Sequence, residues 1–271
     1  VNIDEIASTF SAQGFVRLPQ FVAASDGQKL ILRMRDLVER HCPDSKDHLF
    51  LCGEKLQTSD EYFLQSAQNI SFFFDKNCPQ KSFPSGKEKM AALNKVGHAL
   101  HHRCPVFRKF SHDPRFYELA FNLGIKKPEL VQSMFIFKQA RFGDEVTAHQ
   151  DSTFIFTTPD SLLGLWFAFE DATVDNGCLW VMPAGHKLGL NSRYLRKDGK
   201  YQYERRGVAD WDARAFVPVE AKAGDVILLH GLLPHLSKPN YSDRTRFAYT
   251  LHFVDEKCHF SKRNWLRKSL C

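Results

Sequence analysis

LLGLWFAFEDATVDNGCLWVM, residues 162–182, is the stretch on which the fold turns. Two short β-rich runs, 162–169 and 178–182, flank Asp175-Asn176-Gly177, which reads as a hairpin turn. Runs of the same kind lie on either side, at residues 130–140, 154–158, 226–229 and 246–253. Gly224-Asp225 marks a further turn, and residues 187–216, polar and rich in arginine and tyrosine, read as a long insertion over one end of a sheet. The first half reads mainly as helix. Ser25-Asp26 is placed to cap a helix whose apolar residues Leu30, Ile31, Met34, Leu37 and Val38 recur at helical spacing. A second amphipathic helix is expected at about 89–102, with Leu93, Val96 and Leu100 on one face. A third begins at Asp113-Pro114 and ends near Gly124. Residues 77–87 read as a loop. Helices first and strands afterwards give an α+β chain with a mainly β core, a sandwich or a barrel.

The composition is that of an ordinary globular protein: 271 residues, 43% hydrophobic and 25% charged, with 24 phenylalanines to fill a core. The net charge of +6 is mild. Basic residues gather at Lys257, Lys262, Arg263, Arg267 and Lys268 and at 193–206, without a recognised nucleic-acid module. No nucleic-acid partner is expected; an anionic small molecule is compatible. Seven cysteines, an odd number, widely spread and without Cys-x-x-Cys, argue for a reducing, intracellular setting. No apolar run is as long as a membrane span, and no secretory signal is visible at Val1-Asn2-Ile3-Asp4. Lys268-Ser269-Leu270-Cys271 does not match a peroxisomal signal, so the cytoplasm is favoured while the peroxisome stays open. Oligomeric state is not written in the sequence.

The chemistry centres on His149-Gln150-Asp151, followed 84 residues later by His235 and 11 residues after that by Arg246. A His-x-Asp triplet arises about once by chance in such a chain, so its context must carry the argument. On extended backbone, residues two apart share a face, which puts His149 and Asp151 side by side. Two imidazoles and a carboxylate suit Fe(II), where thiolates would favour zinc and carboxylates alone magnesium or calcium. For the third ligand His230 and His235 compete. His235 follows Pro234 at the end of an apolar strand; His230 precedes Gly231 and fits a turn. His186 reads as structural, His98, His101 and His102 as packing or surface residues, and His252 as a pocket-lining residue on the strand face of Arg246. Arg244 and Arg246 share strand parity, so alternation does not separate them. A strand arginine aimed into an apolar barrel is costly unless an anion meets it.

Several segments resemble the phytanoyl-CoA dioxygenase family: Gln132-Ser133-Met134-Phe135-Ile136-Phe137-Lys138, His149-Gln150-Asp151, Gly164-Leu165-Trp166, Glu170-Asp171-Ala172, Asn176-Gly177-Cys178-Leu179-Trp180, Pro183-Ala184-Gly185-His186 and residues 93–100. The resemblance covers about residues 9–254, and less clearly 41–90. It implies a double-stranded β-helix, jelly-roll or cupin-like, braced by N-terminal helices. It also implies one oxygenase domain over 1–271, with helical support at about 1–128 and a β core at about 129–256. It assigns iron to His149, Asp151 and His235, the 2-oxoglutarate carboxylate to Arg246, and the lining of the co-substrate pocket to Lys95, Met134, Trp166 and Ser237. The activity implied is that of an Fe(II)- and 2-oxoglutarate-dependent dioxygenase. It would consume O2, release succinate and CO2, and hydroxylate a small molecule, a carboxylate and an acyl-CoA among the candidates. Two other readings stand beside it: a silent β-helix protein that binds metal and ligand, and a zinc hydrolase on the same triad. The iron assignment predicts that Asp151→Ala abolishes turnover, and full activity in that variant refutes it.

Overall fold

Every residue of the strand Leu163–Ala168 is buried, and its alternation divides two interiors. Leu165 and Phe167 point toward the helices, while Trp166 and Ala168 point toward a second, smaller sheet. In this computed structural model, which describes residues 2–50, 61–198, 200–207 and 211–267, the strand lies third in an eight-stranded sheet. The order is Phe15–Leu18, Val226–His230, Leu163–Ala168, Arg246–Asp255, Pro128–Lys138, Leu93–His98, Ile70–Asp75 and Leu49–Phe50. Pairing is antiparallel throughout except at the Leu49–Phe50 edge. The smaller sheet, Val217–Val219, Leu179–Val181, His235–Ser237 and Val146–His149, is antiparallel as well. Two sheets facing each other, with helices on the outer face of the larger, form the jelly-roll that the family resemblance implies. Cys52, Cys271, Val1 and the Lys268–Cys271 stretch lie outside the described residues; Cys42, Cys78, Cys104, Cys178 and Cys258 are free thiols. Among the described residues no helix is long and apolar enough to cross a membrane.

The helix Ala24–His41 buries Leu30, Ile31, Met34, Leu37 and Val38, as its spacing predicts. Its cap differs from expectation. Ala23 is the N-cap and makes no side-chain bond, while Ser25 and Asp26 lie within the first turn, where Asp26 pairs with Lys29. The helix Pro114–Asn122 does start on Asp113, whose carboxylate accepts from the Arg115 amide.

Three expectations are corrected. Residues 89–102 are not one helix: Gly86–Ala92 is helical behind a Ser85/Glu88 capping box, and then Leu93–His98 becomes a strand. Leu93 and Val96 happen to fit a helical period, but the segment is buried on both faces between two strands, and ladder pairing outweighs its spacing. Asp175-Asn176-Gly177 is a turn, with Gly177 at φ +83°, yet it joins no hairpin. Its flanking strands belong to different sheets, so it carries the chain from one sheet to the other. Residues 154–158 hold only the two-residue strand Thr157–Thr158, because the chain winds into a 3₁₀ turn at Asp151–Thr153. Phe154 and Ile155 then pack into a cluster with Tyr194 and Trp265. Tyr194 belongs to the hairpin Ser192–Lys197 and Lys200–Arg205, which lies within the polar insertion.

Two buried histidines tie the helical side to the sheet. His98 donates from Nδ1 to Ser66 Oγ at 2.7 Å, since that hydroxyl itself donates to the Phe63 carbonyl. His101 meets Ser133 Oγ through its ring Nδ1 at 2.8 Å and its backbone amide at 3.0 Å. Burial, reinforced by Lys95 and His252, holds His98 well below the usual imidazole range; burial, with His112 and His102, lowers His101 to about 3. The unfolded chain takes up both protons near pH 6.5, whereas the fold refuses them until far lower pH. Stability is therefore full above pH 6.5 and falls as pH drops, by at most about 1.4 kcal/mol per pH unit for each histidine. Urea midpoints of metal-free protein at pH 7.5 and 5.5 should show this loss, with a shallower slope in His101→Gln. An equal slope in the two proteins contradicts the assignment.

Candidate metal centre

Strand pairing brings the site together. Val146–His149 runs antiparallel to His235–Ser237, and the register sets His149 directly opposite His235. The chain turns at Asp151 and brings its carboxylate back beside both imidazoles. Asp151 Oδ1 lies 3.6 Å from His149 Nε2 and 3.7 Å from His235 Nε2. One donor atom from each residue falls within 4.8 Å of the others, and among the described residues no other group of three His, Cys, Asp or Glu does so. The far nitrogens are engaged: His149 Nδ1 donates to the Thr147 carbonyl at 2.8 Å and His235 Nδ1 to the Leu233 carbonyl at 3.0 Å. These bonds fix the tautomer in which both Nε2 lone pairs face the common point, the form a metal needs.

Between the two ligands of the triplet, Gln150 turns the other way and is fully buried. Its amide donates to the Gly189 and Leu232 carbonyls at 2.8 and 2.7 Å and accepts from the Asn191 amide at 2.8 Å. The other oxygen of Asp151, Oδ2, lies 3.1 Å from His252 Nε2. Burial pushes the Asp151 carboxyl up, but His235 and His252 beside it and the bond from His252 outweigh this and hold it well below the usual range. Burial, with His149 alongside, lowers His235 to about 4 against the pull of Asp151. A carboxylate anion beside a neutral imidazole is the protonation state of a ligand set awaiting a cation.

Arg246 sits deeper in the same cavity and is 1% exposed. Its Nε donates to the Gly177 carbonyl at 3.1 Å and its Nη2 to Ser237 Oγ at 3.1 Å. Nη1 is buried and meets no hydrogen-bond partner among the described residues. Burial lowers the guanidinium to about 10, so it stays a cation at neutral pH. Its carbon stands 5.4 Å from the Trp166 ring centre. Among the described residues this buried cation makes no ion pair, Glu170 acting on it only at longer range, and a bound anion would complete it. Arg244 is exposed in the turn before the strand, which separates the two arginines that parity left equal.

Lys95, Met134, Trp166 and Ser237 all line this cavity, together with the triad and Arg246. Lys95 reaches it because residues 93–98 form a strand. His230 does not line it: its Nδ1 accepts from the Leu232 amide at 3.1 Å, and its ring packs on Phe10 and His186. His186 bonds the Ser11 carbonyl at 3.2 Å, a structural role as expected. Thr250 and Gly164 in the lining, and the buried amide of Gln150, escape the sequence reading. Strand parity with Arg246 would have found Thr250, as it found His252.

A jelly-roll with a three-ligand clamp on one wall and a lone buried guanidinium beyond it defines a class, the Fe(II)- and 2-oxoglutarate-dependent dioxygenases. Comparison with known proteins carries this to a family. The model of the family described as Phytanoyl-CoA dioxygenase (PhyH) matches residues 10–248, and the chain belongs to that family. It is 40% identical to Phytanoyl-CoA dioxygenase 1 of Oryza sativa subsp. japonica over 98% of this chain and 94% of that protein. To Phytanoyl-CoA dioxygenase domain-containing protein 1 of Mus musculus it is 38% identical, over 95% and 92%. Among solved structures, EctD from S. alaskensis, determined with 2-oxoglutarate and 5-hydroxyectoine, superposes with a TM-score of 0.67 at 18% identity, covering 97% of this chain and 79% of that one. The epimerase SnoN, in complex with Fe3+, alpha ketoglutarate and nogalamycin RO, gives 0.64 at 18% identity, over 95% and 85%. At such identities the likeness is one of fold.

The geometry separates the two competing histidines experimentally. His235→Ala should lose Fe(II) binding in an anaerobic titration. His230→Ala should keep it within about threefold while losing about 1–2 kcal/mol of stability for its hydrogen bond and packing. Loss of metal in the His230 variant with the fold intact contradicts this assignment.

Proposed function

We propose that the chain is one oxygenase domain that hydroxylates a C–H bond of a small molecule, consuming 2-oxoglutarate and O2 and releasing succinate and CO2. The observation that carries this reading is the unpartnered Nη1 of buried Arg246 in the cavity of the His149, Asp151 and His235 clamp. The three ligands would hold Fe(II) from one side and leave three positions open. Arg246, with Ser237 bonded to it and Trp166 under it, would receive the distal carboxylate of 2-oxoglutarate, a charge-assisted pairing that ends the isolation of the cation. Lys95 and Met134 complete the lining on the side of the Leu93–His98 and Pro128–Lys138 strands. Bound Fe(II) with 2-oxoglutarate supplies the oxidising power; the protein supplies position and exclusion of water. Asp151 fills the ligand place that a halide would need, which favours hydroxylation over halogenation.

A zinc hydrolase on the same triad would leave Arg246 buried with no anion to meet, so the oxygenase reading is preferred. The names of the rice and mouse relatives point to an acyl-CoA as one candidate substrate; a free carboxylate is another. Free thiols at the five described cysteines suit a reducing compartment, with the cytoplasm favoured and the peroxisome open.

The test needs no substrate. Fe(II) and then 2-oxoglutarate are added without oxygen, and the weak visible charge-transfer band of the chelated co-substrate is sought. Wild type should give the band, His149→Ala none, and Arg246→Ala should need at least about tenfold more 2-oxoglutarate, the loss of a charged hydrogen bond. A folded, iron-loaded protein without the band overturns the reading. Succinate release on admitting O2 separates turnover from silent binding.

A further inference from the structure

The two oxygens of Asp151 have different surroundings. Oδ1 faces both triad imidazoles, at 3.6 and 3.7 Å. Oδ2 faces His252, which comes from the opposite sheet and is 4% exposed. An ionised carboxylate only accepts, so His252 must donate from Nε2. Its other ring nitrogen, Nδ1, is buried and meets no hydrogen-bond partner among the described residues, so Asp151 is the one partner that orients the ring. Of the two residues paired with His252 across the sheet, Gln132 and Gly164, the glycine faces the contact: a Cβ there would lie 3.4 Å from Oδ2 and 3.6 Å from His252 Nε2. His252 is thus presented to Asp151 from a buried strand paired on both sides.

We propose that His252 is a positioning residue that keeps Asp151 monodentate. With Oδ2 engaged, the carboxylate has one oxygen to offer a metal, and the protein fills three positions rather than four. Freed of His252, the carboxylate can rotate and chelate, closing one of the positions that a chelating keto acid and O2 require. This inference rests on the oxygenase reading for its consequence but not for its geometry, and its first test uses metal alone.

Mn(II) is loaded into wild type, His252→Gln, which keeps a donor near the position of Nε2, and two donor-less variants of different shape, His252→Leu and His252→Phe. Water-proton relaxivity then counts metal-bound waters. The donor-less variants should fall by about a third, from three waters to two, with His252→Gln close to wild type. In the anaerobic iron assay the same variants should bind metal within about threefold of wild type yet need at least about tenfold more 2-oxoglutarate, again rescued by glutamine. Unchanged relaxivity in a folded, Mn(II)-loaded donor-less variant overturns the proposal, as does equal loss of metal and co-substrate. Should wild type show no band with 2-oxoglutarate, the oxygenase reading falls while the relaxivity comparison still decides the role of His252.

Discussion

The strand Arg246–Asp255 is buried at all ten positions, and the rest of the molecule is arranged around that constraint. Strand geometry allows it two faces and no more. Phe247, Tyr249, Leu251 and Phe253 go outward into the aromatic layer beneath the helices. Arg246, Thr250 and His252 go inward to the cavity, with Ala248 between them packed against the smaller sheet. A single strand therefore anchors the main core and carries the guanidinium and the imidazole that give the cavity its character. A shift of its register by one residue would exchange the two sets, placing the arginine in the aromatic layer and phenylalanines at the metal centre.

The energetics favour this division. Burying Phe247, Leu251 and Phe253 contributes about 1.5–3 kcal/mol each. The inner face carries groups that meet no partner among the described residues, Arg246 Nη1, Thr250 Oγ1 and His252 Nδ1, each costing on the order of 1–3 kcal/mol when desolvated. The outer packing is large enough to hold a polar, incompletely satisfied inner face in place. Gly164, beside His252 on the neighbouring strand, lines the cavity without a side chain to fill it.

Much of this was legible in the sequence, and the failures have physical causes. The strands read at 130–140, 162–169, 178–182, 226–229 and 246–253 stand close to where the sequence puts them, while 154–158 does not. The triplet His149-Gln150-Asp151 was legible because a period of two is a local property. Which distant histidine joins it was not, because that depends on the pairing of His149 with His235 across strands whose register no local pattern records. Arg244 and Arg246 have the same parity, and only the start of the strand at Arg246 separates them. The 93–98 segment misled because Leu93 and Val96 continue to Leu100 at a helical period, although 93–98 is buried on both faces, where spacing carries no information. Asp175-Asn176-Gly177 misled in topology but not in conformation. Its turn is real, and by crossing between sheets it delivers the Gly177 carbonyl to both Arg246 Nε and Ser237 Oγ.

Gln150 shows why the polar insertion belongs to the centre and is not an appendage. The residue between two ligands cannot share their face, so its side chain enters the protein on the other side. There a primary amide with two donors and an acceptor fixes the carbonyls of Gly189 and Leu232 and the amide of Asn191. Leu232 lies beside Leu233, whose carbonyl orients His235. Asn191 opens the hairpin whose Tyr194 packs on Phe154, and the Phe154 ring stands edge-on to His149 at 6.3 Å. The backbone of one ligand, the loop that aims another and the base of the insertion thus meet at one buried side chain. Each of the three needs the other two in place, so rigidity at the centre and order in the insertion have a common origin.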